Sequence, residues 1–278
     1  MKMKKIGIVG FGKLGRFLAD KIIAREQSHG DLGLSFVWNR RDEAWKDHPS
    51  SSVGLENLEA FAERETDIIV EVAHPAISAE WGTKFLQHAD YLVGSPTGLA
   101  DAELRTSLLN AVAVGTGRQL IVPRGALPGL DEILMLKEDG RVVEAAITMR
   151  KHPRSLKYSG PIAEEASDEN GTALYYRGPL APLCGYAPNN VNTMAVLAMA
   201  AGLSFDEVEA TLVADPALED HITEVTLLGP NDGGPRFELY LKRSSPAGAG
   251  AVTSSATFDS FWKTLRGALE PGEGVKLC

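Results

Sequence analysis

The sequence Ile6-Gly7-Ile8-Val9-Gly10-Phe11-Gly12-Lys13-Leu14-Gly15-Arg16 joins a short apolar run to a glycine-rich turn. The run from Ile6 to Val9 predicts a buried strand, and the residues after the turn repeat apolar side chains at helical spacing. Strand, glycine turn and helix, in this order, form the context in which Gly10-x-Gly12-x-x-Gly15 indicates a dinucleotide-binding site. An ordinary tight turn between a strand and a helix is the alternative interpretation.

Each glycine of this motif has its own physical purpose. Gly10 allows the tight turn, Gly12 lets the backbone approach a pyrophosphate, and Gly15 lets the helix pack close to the strand. The N-terminus of the helix offers free N–H groups and the positive end of its dipole to phosphates. We therefore predict a cofactor site on these glycines, with Lys13 and Leu14 as further contacts.

The end of the second predicted strand, residues 34–38, indicates which dinucleotide binds. An NAD-binding domain usually places Asp or Glu there, where the carboxylate bonds the ribose 2′-OH. Here the chain continues Asn39-Arg40-Arg41, and guanidinium groups bind phosphate through charge-assisted hydrogen bonds. Asn39 and Arg40 are therefore predicted cofactor residues, with NADP preferred over NAD or used beside it. Alternatively, the two arginines are solvated surface charges.

The composition is that of an ordinary soluble globular enzyme, with 278 residues, 44% of them hydrophobic and 23% charged. A net charge of −9 argues against a nucleic-acid partner. No apolar run approaches the roughly 20 residues that a membrane span needs, and the basic start does not resemble a signal peptide. Cys184 and Cys278, the two cysteines, form neither a disulfide framework nor a zinc site, and no ligand spacing suggests a metal. We expect a reducing, cytoplasmic setting.

The first half of the chain alternates predicted strands and helices. This rhythm indicates βαβ units and a doubly wound parallel sheet. Strands are expected at residues 67–72, 91–94 and 119–122, and helices at 56–64, 76–87 and 101–112, the last capped by Asp101.

The pattern changes after about residue 124. Strands are expected at residues 145–150, 223–228 and 237–242, helices at 130–137 and 192–201, and an exposed excursion at 160–171. Residues 204–207 read as the cap and first turn of a further helix. We therefore predict an α/β fold, a Rossmann domain at residues 1–123 and a second, α+β domain with an antiparallel sheet at 124–251. A C-terminal segment, 252–278, contains an amphipathic helix that returns to the first domain.

Loops that leave the carboxyl ends of the first domain's strands carry further candidate residues. A bound nicotinamide exposes its ring at these ends, so we expect Ala73, His74 and Ser95 to contact the cofactor. His74 precedes Pro75 and could equally cap a helix. Ala126 follows another predicted strand, where an ordinary strand–helix turn is the alternative.

His221 is the candidate general acid or base. It follows Glu219 and Asp220, and neighbouring carboxylates would raise its pKa and orient its ring. A structural histidine at the start of a strand is the alternative.

A basic cluster, Arg150-Lys151-His152-Pro153-Arg154, stands out in an acidic chain. Lys151 and His152 could hold substrate carboxylates, or the cluster is a solvated strand end. Asn190 belongs to the group Asn189-Asn190-x-Asn192, which offers more amide groups than a helix cap needs.

At several points the chain resembles the L-aspartate dehydrogenase family, and within it the animal branch described as aspartate dehydrogenase domain-containing. The resemblance covers nearly the whole sequence. The motifs that carry it are Gly-Phe-Gly-Lys-Leu-Gly at 10–15, Val-Trp-Asn-Arg at 37–40, Glu-Val-Ala-His-Pro at 71–75, Val-Gly-Ser-Pro at 93–96, Arg-Gly-Ala-Leu at 124–127, Ala-Pro-Asn-Asn-Val-Asn-Thr-Met-Ala at 187–195, Val-Ala-Asp at 213–215, Phe-Trp at 261–262 and the C-terminal Leu-Cys.

The resemblance implies NAD(P)-dependent oxidation of L-aspartate through iminoaspartate to oxaloacetate and ammonia, or the reverse, in a homodimer. It implies that the C-terminal helix completes the Rossmann domain and that residues 124–251 carry catalysis and dimerisation. It assigns the active-site histidine to His221 and cofactor contacts to Ala126 and Asn192. Two departures lie at the substrate end. Glu219 stands where prokaryotic members carry Asn, and Arg124, a candidate substrate residue, stands where they have Pro or Ser.

Three interpretations remain open at this point. The first is an amino-acid dehydrogenase acting on a small dicarboxylic substrate. The second is an NAD(P)H reductase of another small acid or imine, and the third is a non-catalytic NADP(H)-binding sensor or scaffold.

Overall fold

The computed structural model describes residues 3–113, 115–162, 171–251, 255–269 and 272–278. The chain divides into two compact units, Met1–Pro123 with Phe261–Cys278, and Arg124–Ser260. The strands, in chain order, are β1 (Lys4–Val9), β2 (Leu32–Trp38), β3 (Gly54–Leu55), β4 (Ile68–Glu71), β5 (Asp90–Val93), β6 (Gln119–Val122), β7 (Glu144–Lys151), β8 (Ala173–Pro179), β9 (Val208–Ala214), β10 (Asp220–Leu228), β11 (Glu238–Pro246) and β12 (Gly274–Leu277). The α-helices are α1 (Lys13–His29), α2 (Glu43–Lys46), α3 (Pro75–His88), α4 (Ala102–Ala111), α5 (Leu130–Glu138), α6 (Leu180–Tyr186), α7 (Asn192–Ala201) and α8 (Ser255–Gly267).

The first unit is built on a parallel sheet with the strand order β12-β6-β5-β4-β1-β2-β3. Strands β4 and β6 are buried along their whole length, as expected of parallel strands that are covered on both faces. The predicted doubly wound parallel sheet is confirmed. β12 is not among the strands expected from the sequence, and it pairs with β6 at the edge of the sheet.

The core of the first unit lies between this sheet and its helices. Leu18 and Ile22 on α1 are completely buried, and so is Leu265 near the C-terminus, which joins the same apolar cluster. Asp101 accepts hydrogen bonds from the backbone N–H groups of Glu103 and Leu104. It is therefore the N-cap of α4, as predicted.

The turn between β1 and α1 is tight because its glycines have no side chains. Gly10 has a φ of 106°, a conformation that glycine adopts without strain. A Cβ on Gly15 would lie 2.0 Å from the carbonyl oxygen of Gly10, and a Cβ on Gly10 would lie 2.7 Å from the backbone nitrogen of Ala73. The helix therefore approaches the strand as closely as backbone atoms allow.

The second unit is built on a sheet with the strand order β11-β10-β7-β9-β8. Its pairings are antiparallel except for β7 with β9, which is parallel. The sheet is therefore mixed rather than purely antiparallel, with β9 lying between β7 and β8. Nearly every residue of α7 is buried, and α7 packs against α5. Among the described residues, no helix has the length and apolar character needed to cross a membrane.

Some local expectations are wrong. The helix expected at 56–64 is a 3₁₀-helix over Leu58–Glu63. Glu207 accepts a hydrogen bond from the backbone of Ser204, as in a helix cap, but β9 follows instead of a helix. Pairing with β7 on one side and β8 on the other overrides the local cap signal. The exposed excursion expected at 160–171 lies mostly outside the described residues.

Substituting two glycines of the β1–α1 turn should lower stability by unequal amounts. Gly15→Ala places a methyl group against the Gly10 carbonyl, and we expect it to lower the free energy of unfolding by about 3 kcal/mol. In Gly12→Ala the new Cβ meets no protein atom within 4 Å, and we expect a loss below about 1 kcal/mol. Urea unfolding of both variants checks this, and equal losses would contradict the packing argument.

Candidate functional site

The carboxyl ends of β1, β4 and β5 form one edge of the first unit's sheet, because these strands are parallel neighbours. The loop after β1 contains Gly10 and Gly12, the loop after β4 contains Ala73 and His74, and Ser95 follows β5. The structure thus brings together the predicted cofactor residues of the first unit. A crevice outside the carboxyl ends of parallel strands is where nucleotides bind in folds of this kind.

The N-terminus of α1 fits a phosphate group. Gly12 is the N-cap of α1, so the N–H groups of the first turn have no capping side chain. Gly12 and Lys13 are exposed, and apart from the two chain neighbours no atom of the described residues lies within 4 Å of the position that a Cβ on Gly12 would take. The exposed helix end offers N–H groups and the positive end of the dipole to an anion.

Asn39 connects the glycine turn to the end of β2. Its side-chain oxygen accepts a hydrogen bond from the backbone N–H of Phe11 at 3.0 Å, and its amide nitrogen donates to the carbonyl of Arg41 at 2.9 Å. Arg40 and Arg41 are exposed. Both guanidinium groups are therefore accessible at the strand end where a 2′-phosphate would lie.

Glu71, the last residue of β4, is a buried carboxylate that is not among the site residues predicted from the sequence. Its side chain accepts hydrogen bonds from the backbone of Ala73, His74 and Ser95 and from the Ser95 hydroxyl. Burial raises the pKa of Glu71 to about 7 against the opposing effect of these donors. One sequence feature could have indicated Glu71: it is an acidic residue at the end of the apolar run Ile68–Val70, which predicts a strand of a parallel sheet.

Two predicted cofactor residues of this edge have structural partners. His74 is the N-cap of α3, and its Nδ1 accepts a hydrogen bond from Ala76 at 3.2 Å. Ser95 is buried and bonded to Glu71. The capping role that the sequence left open for His74 is thus the one seen in its contacts.

His221 lies in the second unit, at the second residue of β10. Its side chain is 6% exposed, and its Nε2 has no hydrogen-bond partner among the described residues. The register that pairs Ile222 with Arg150 brings His221 beside Lys151 on the adjacent strand.

Burial, and after it the charge of Lys151, lowers the pKa of His221 to about 4, while Asp220 and a hydrogen bond to the Ala251 backbone act in the opposite direction. Asp220 thus acts in the expected direction, but the expected net rise of this pKa is wrong. Desolvation of a buried imidazole outweighs one adjacent carboxylate.

Lys151 and Asn190 form a buried polar contact next to His221. The Lys151 ammonium donates to the backbone carbonyl of Asn190 at 2.8 Å, and burial lowers the pKa of Lys151 to about 8. The Asn190 side chain donates to the Ser155 carbonyl and accepts from the Lys157 N–H, both at 2.7 Å. Lys151 is therefore placed to act on His221, while the Asn190 amide braces the chain after β7.

The remaining candidates of the second unit lie apart in sequence. Arg124 forms an ion pair with Asp131 at 3.5 Å, Ala126 is half-buried in the turn before α5, and Asn192 is the first residue of α7. His152 accepts a hydrogen bond from the Arg154 backbone at 3.1 Å. It also lines an open cleft of about 660 Å³, with residues 216–219 before β10 and residues 246–249 at the end of β11. Among the described residues, no group of three or more His, Cys, Asp or Glu side chains is arranged so that it could hold a metal ion.

Family models match both units of the chain. Residues 10–123 match the NAD-binding domain of homoserine dehydrogenase, and residues 132–264 match the C-terminal domain of aspartate dehydrogenase. The first unit is therefore a nicotinamide-dinucleotide-binding domain of the dehydrogenase type.

Similar proteins cover the chain from end to end. An aspartate dehydrogenase domain-containing protein of Danio rerio is 43% identical over 100% of this chain and 99% of its own length. An L-aspartate dehydrogenase of Brucella anthropi is 30% identical over 81% of this chain and 82% of its own length. The crystal structure of aspartate dehydrogenase from Thermotoga maritima, 22% identical, superimposes with a TM-score of 0.69 over 95% of this chain and 96% of that one, which shows the common fold. By these similarities, the chain belongs to the aspartate dehydrogenase family of oxidoreductases.

Proposed function

We propose that the protein is an NAD(P)-dependent L-aspartate dehydrogenase. It would convert L-aspartate, water and the oxidised cofactor into oxaloacetate, ammonium, a proton and the reduced cofactor through iminoaspartate, or run the reverse. The observation that carries this proposal is the buried His221, whose Nε2 has no hydrogen-bond partner among the described residues, in a chain that also has the glycine turn of a dinucleotide-binding domain. The names of the bacterial and animal relatives support the same substrate class.

The chain's own groups divide the work. The first-turn N–H groups of α1 bind the pyrophosphate, and Asn39 holds the glycine turn in place. A bound nicotinamide would supply the acceptor for the hydride that leaves the substrate Cα. His221, neutral near pH 7, accepts a proton from the water that attacks the imine carbon and returns a proton to the departing ammonia.

Lys151 keeps His221 available as a base. An ammonium group next to an imidazole disfavours the imidazolium form. The buried position of both side chains strengthens this interaction, because little water screens it.

We expect NADP to bind more tightly than NAD, because Arg40 stands where an acid would bond the ribose. Arg40→Ala should weaken NADP binding by on the order of tenfold, the loss of one charge-assisted hydrogen bond, and leave NAD binding unchanged. Calorimetry with both dinucleotides measures this. Arg64→Ala, at an exposed arginine before β4, is the matched control for lost charge. Equal affinities for the two cofactors before and after Arg40→Ala would contradict the assignment.

His221→Ala should reduce kcat by on the order of 10²–10⁴, because it removes the proton acceptor, while NADP affinity stays nearly unchanged. Steady-state kinetics with L-aspartate, together with binding measurements, tests this. Full turnover by the variant would leave His221 as a structural residue at the start of a strand.

The pH profile provides a sharper version of the same test. A base with a pKa of about 4 is neutral above about pH 5, so kcat/KM should show no loss from His221 until the pH falls toward 4. Lys151→Met removes the neighbouring positive charge, which should raise the pKa of His221 and move this loss to higher pH. Asp220→Asn removes the opposing charge and should move it to lower pH. NMR titration of the His221 ring follows both shifts independently of activity, and unchanged values in both variants would contradict the electrostatic account.

We also propose that the second unit forms the contact of a homodimer. Strand register places Leu174, Ile222 and Tyr240 on the face of the sheet opposite the buried side chains of β7 and β10, and Tyr240 is 54% exposed. On the same face Glu224 pairs with Arg150 at 3.2 Å and accepts from the Tyr240 hydroxyl at 2.7 Å. A sheet face of this kind suits burial against a second copy.

Light scattering at micromolar concentration should give about twice the 29.8 kDa chain mass. A stable monomer would contradict the dimer. We also propose a cytoplasmic location, because the sequence contains two distant cysteines, Cys184 and Cys278, which make no disulfide framework of the kind found in secreted proteins.

A further inference from the structure

We propose that Glu71 is a positioning residue that joins the loops after β4 and β5 into one rigid surface for the nicotinamide half of the cofactor. This inference rests on the proposed dinucleotide cofactor, but not on the identity of the amino-acid substrate. Glu71 is completely buried, so it would act through the loop backbones and not by touching a ligand.

The geometry ties two loops to a single carboxylate. Oε1 of Glu71 accepts from Ala73 N at 2.6 Å, from His74 N at 2.8 Å and from Ser95 Oγ at 3.1 Å. Oε2 accepts from Ser95 N at 2.9 Å. One oxygen therefore serves mainly the loop after β4, and the other serves the loop after β5.

The strand order places these loops away from the adenine end. In the proposed complex the adenine ribose would lie at the end of β2, where Asn39 and Arg40 are, and the pyrophosphate would lie at the turn after β1. β4 and β5 follow on the other side of β1, so a dinucleotide that crosses the switch point extends its nicotinamide over them. The two loops held by Glu71 are therefore specific to one half of the ligand.

Only a carboxylate satisfies all four donors. In Glu71→Gln the amide oxygen replaces one acceptor, and the amide NH₂ group replaces the other. If the oxygen keeps the three contacts of Oε1, the NH₂ group faces the N–H of Ser95, donor against donor. An unmatched buried donor is costly. The loop after β5 would then be held through the Ser95 hydroxyl alone and should become more mobile, while the loop after β4 keeps both of its bonds.

The experiment compares two ligands that differ in the nicotinamide. We would titrate NADPH and 2′-phospho-ADP-ribose, which lacks the nicotinamide ring, into wild type and Glu71→Gln, and record urea unfolding of both proteins. NADPH should bind on the order of tenfold more weakly to Glu71→Gln, whereas 2′-phospho-ADP-ribose should bind within about twofold of wild type.

Asp90→Asn is the matched control. Asp90 is the first residue of β5, so it lies at the amino ends of the strands and not at the carboxyl ends where Glu71 lies. Its side chain accepts a hydrogen bond from Gln119 N at 3.0 Å. The same acid-to-amide change there should alter neither affinity by more than about twofold.

The outcomes separate this inference from its alternatives. Equal weakening of both ligands by Glu71→Gln would mean a general structural role, and unchanged NADPH affinity would mean no role, so either result overturns the proposal. If wild type bound neither ligand, this inference would fall together with the proposed cofactor. If wild type bound both but did not oxidise L-aspartate, only the proposed function would fail.

Ser95→Ala keeps the test available if Glu71→Gln does not fold. It deletes one of the four bonds and leaves the carboxylate in place. Relative to wild type, we expect NADPH to bind more weakly by less than about tenfold, again without change for 2′-phospho-ADP-ribose. An equal loss for both ligands, or none, would overturn the proposal.

Discussion

The close approach of backbone to backbone after β1 is the constraint on which the first unit depends. Gly15 lies against the Gly10 carbonyl, and Gly10 lies against the backbone of Ala73. Ala73 in turn donates to Glu71, which also holds Ser95. The carboxyl ends of β1, β4 and β5 are thus connected by close backbone contacts at the glycines and by hydrogen bonds to the buried Glu71 carboxylate. The same contacts that pack the sheet edge also shape the surface on which a dinucleotide would rest.

The sequence predicted those elements of the fold whose determinants are local. The apolar runs of β4 and β6, the Asp101 cap and the glycine turn each carry their signal within a few residues. The errors arise where distant pairing decides. Residues 204–207 form a helix-like cap contact, yet β9 follows because β7 and β8 both pair with it. β12 is four residues long and is held at the edge of the sheet by pairing with β6, which is distant in the sequence.

The candidate site was predictable in its residue types more than in its electrostatics. The glycine turn and Asn39 lie where the motif indicated. The sequence predicts a raised pKa for His221, whereas the structure lowers it. The sequence shows Glu219 and Asp220 beside this residue but shows neither its burial nor Lys151 on the adjacent strand. Glu71 was missed for a related reason. A carboxylate in an apolar strand becomes meaningful only when the loops that donate to it are seen to meet.

The central claim is that this chain transfers hydride from the Cα of an amino acid to a nicotinamide. The most direct measurement is to incubate the protein with NADP⁺ and L-aspartate deuterated at Cα, and to determine the mass of the reduced cofactor. We expect NADPH that carries one deuterium, formed together with oxaloacetate and ammonium. Tight cofactor binding without any deuterium transfer, from L-aspartate or from any other deuterated amino acid, would contradict it.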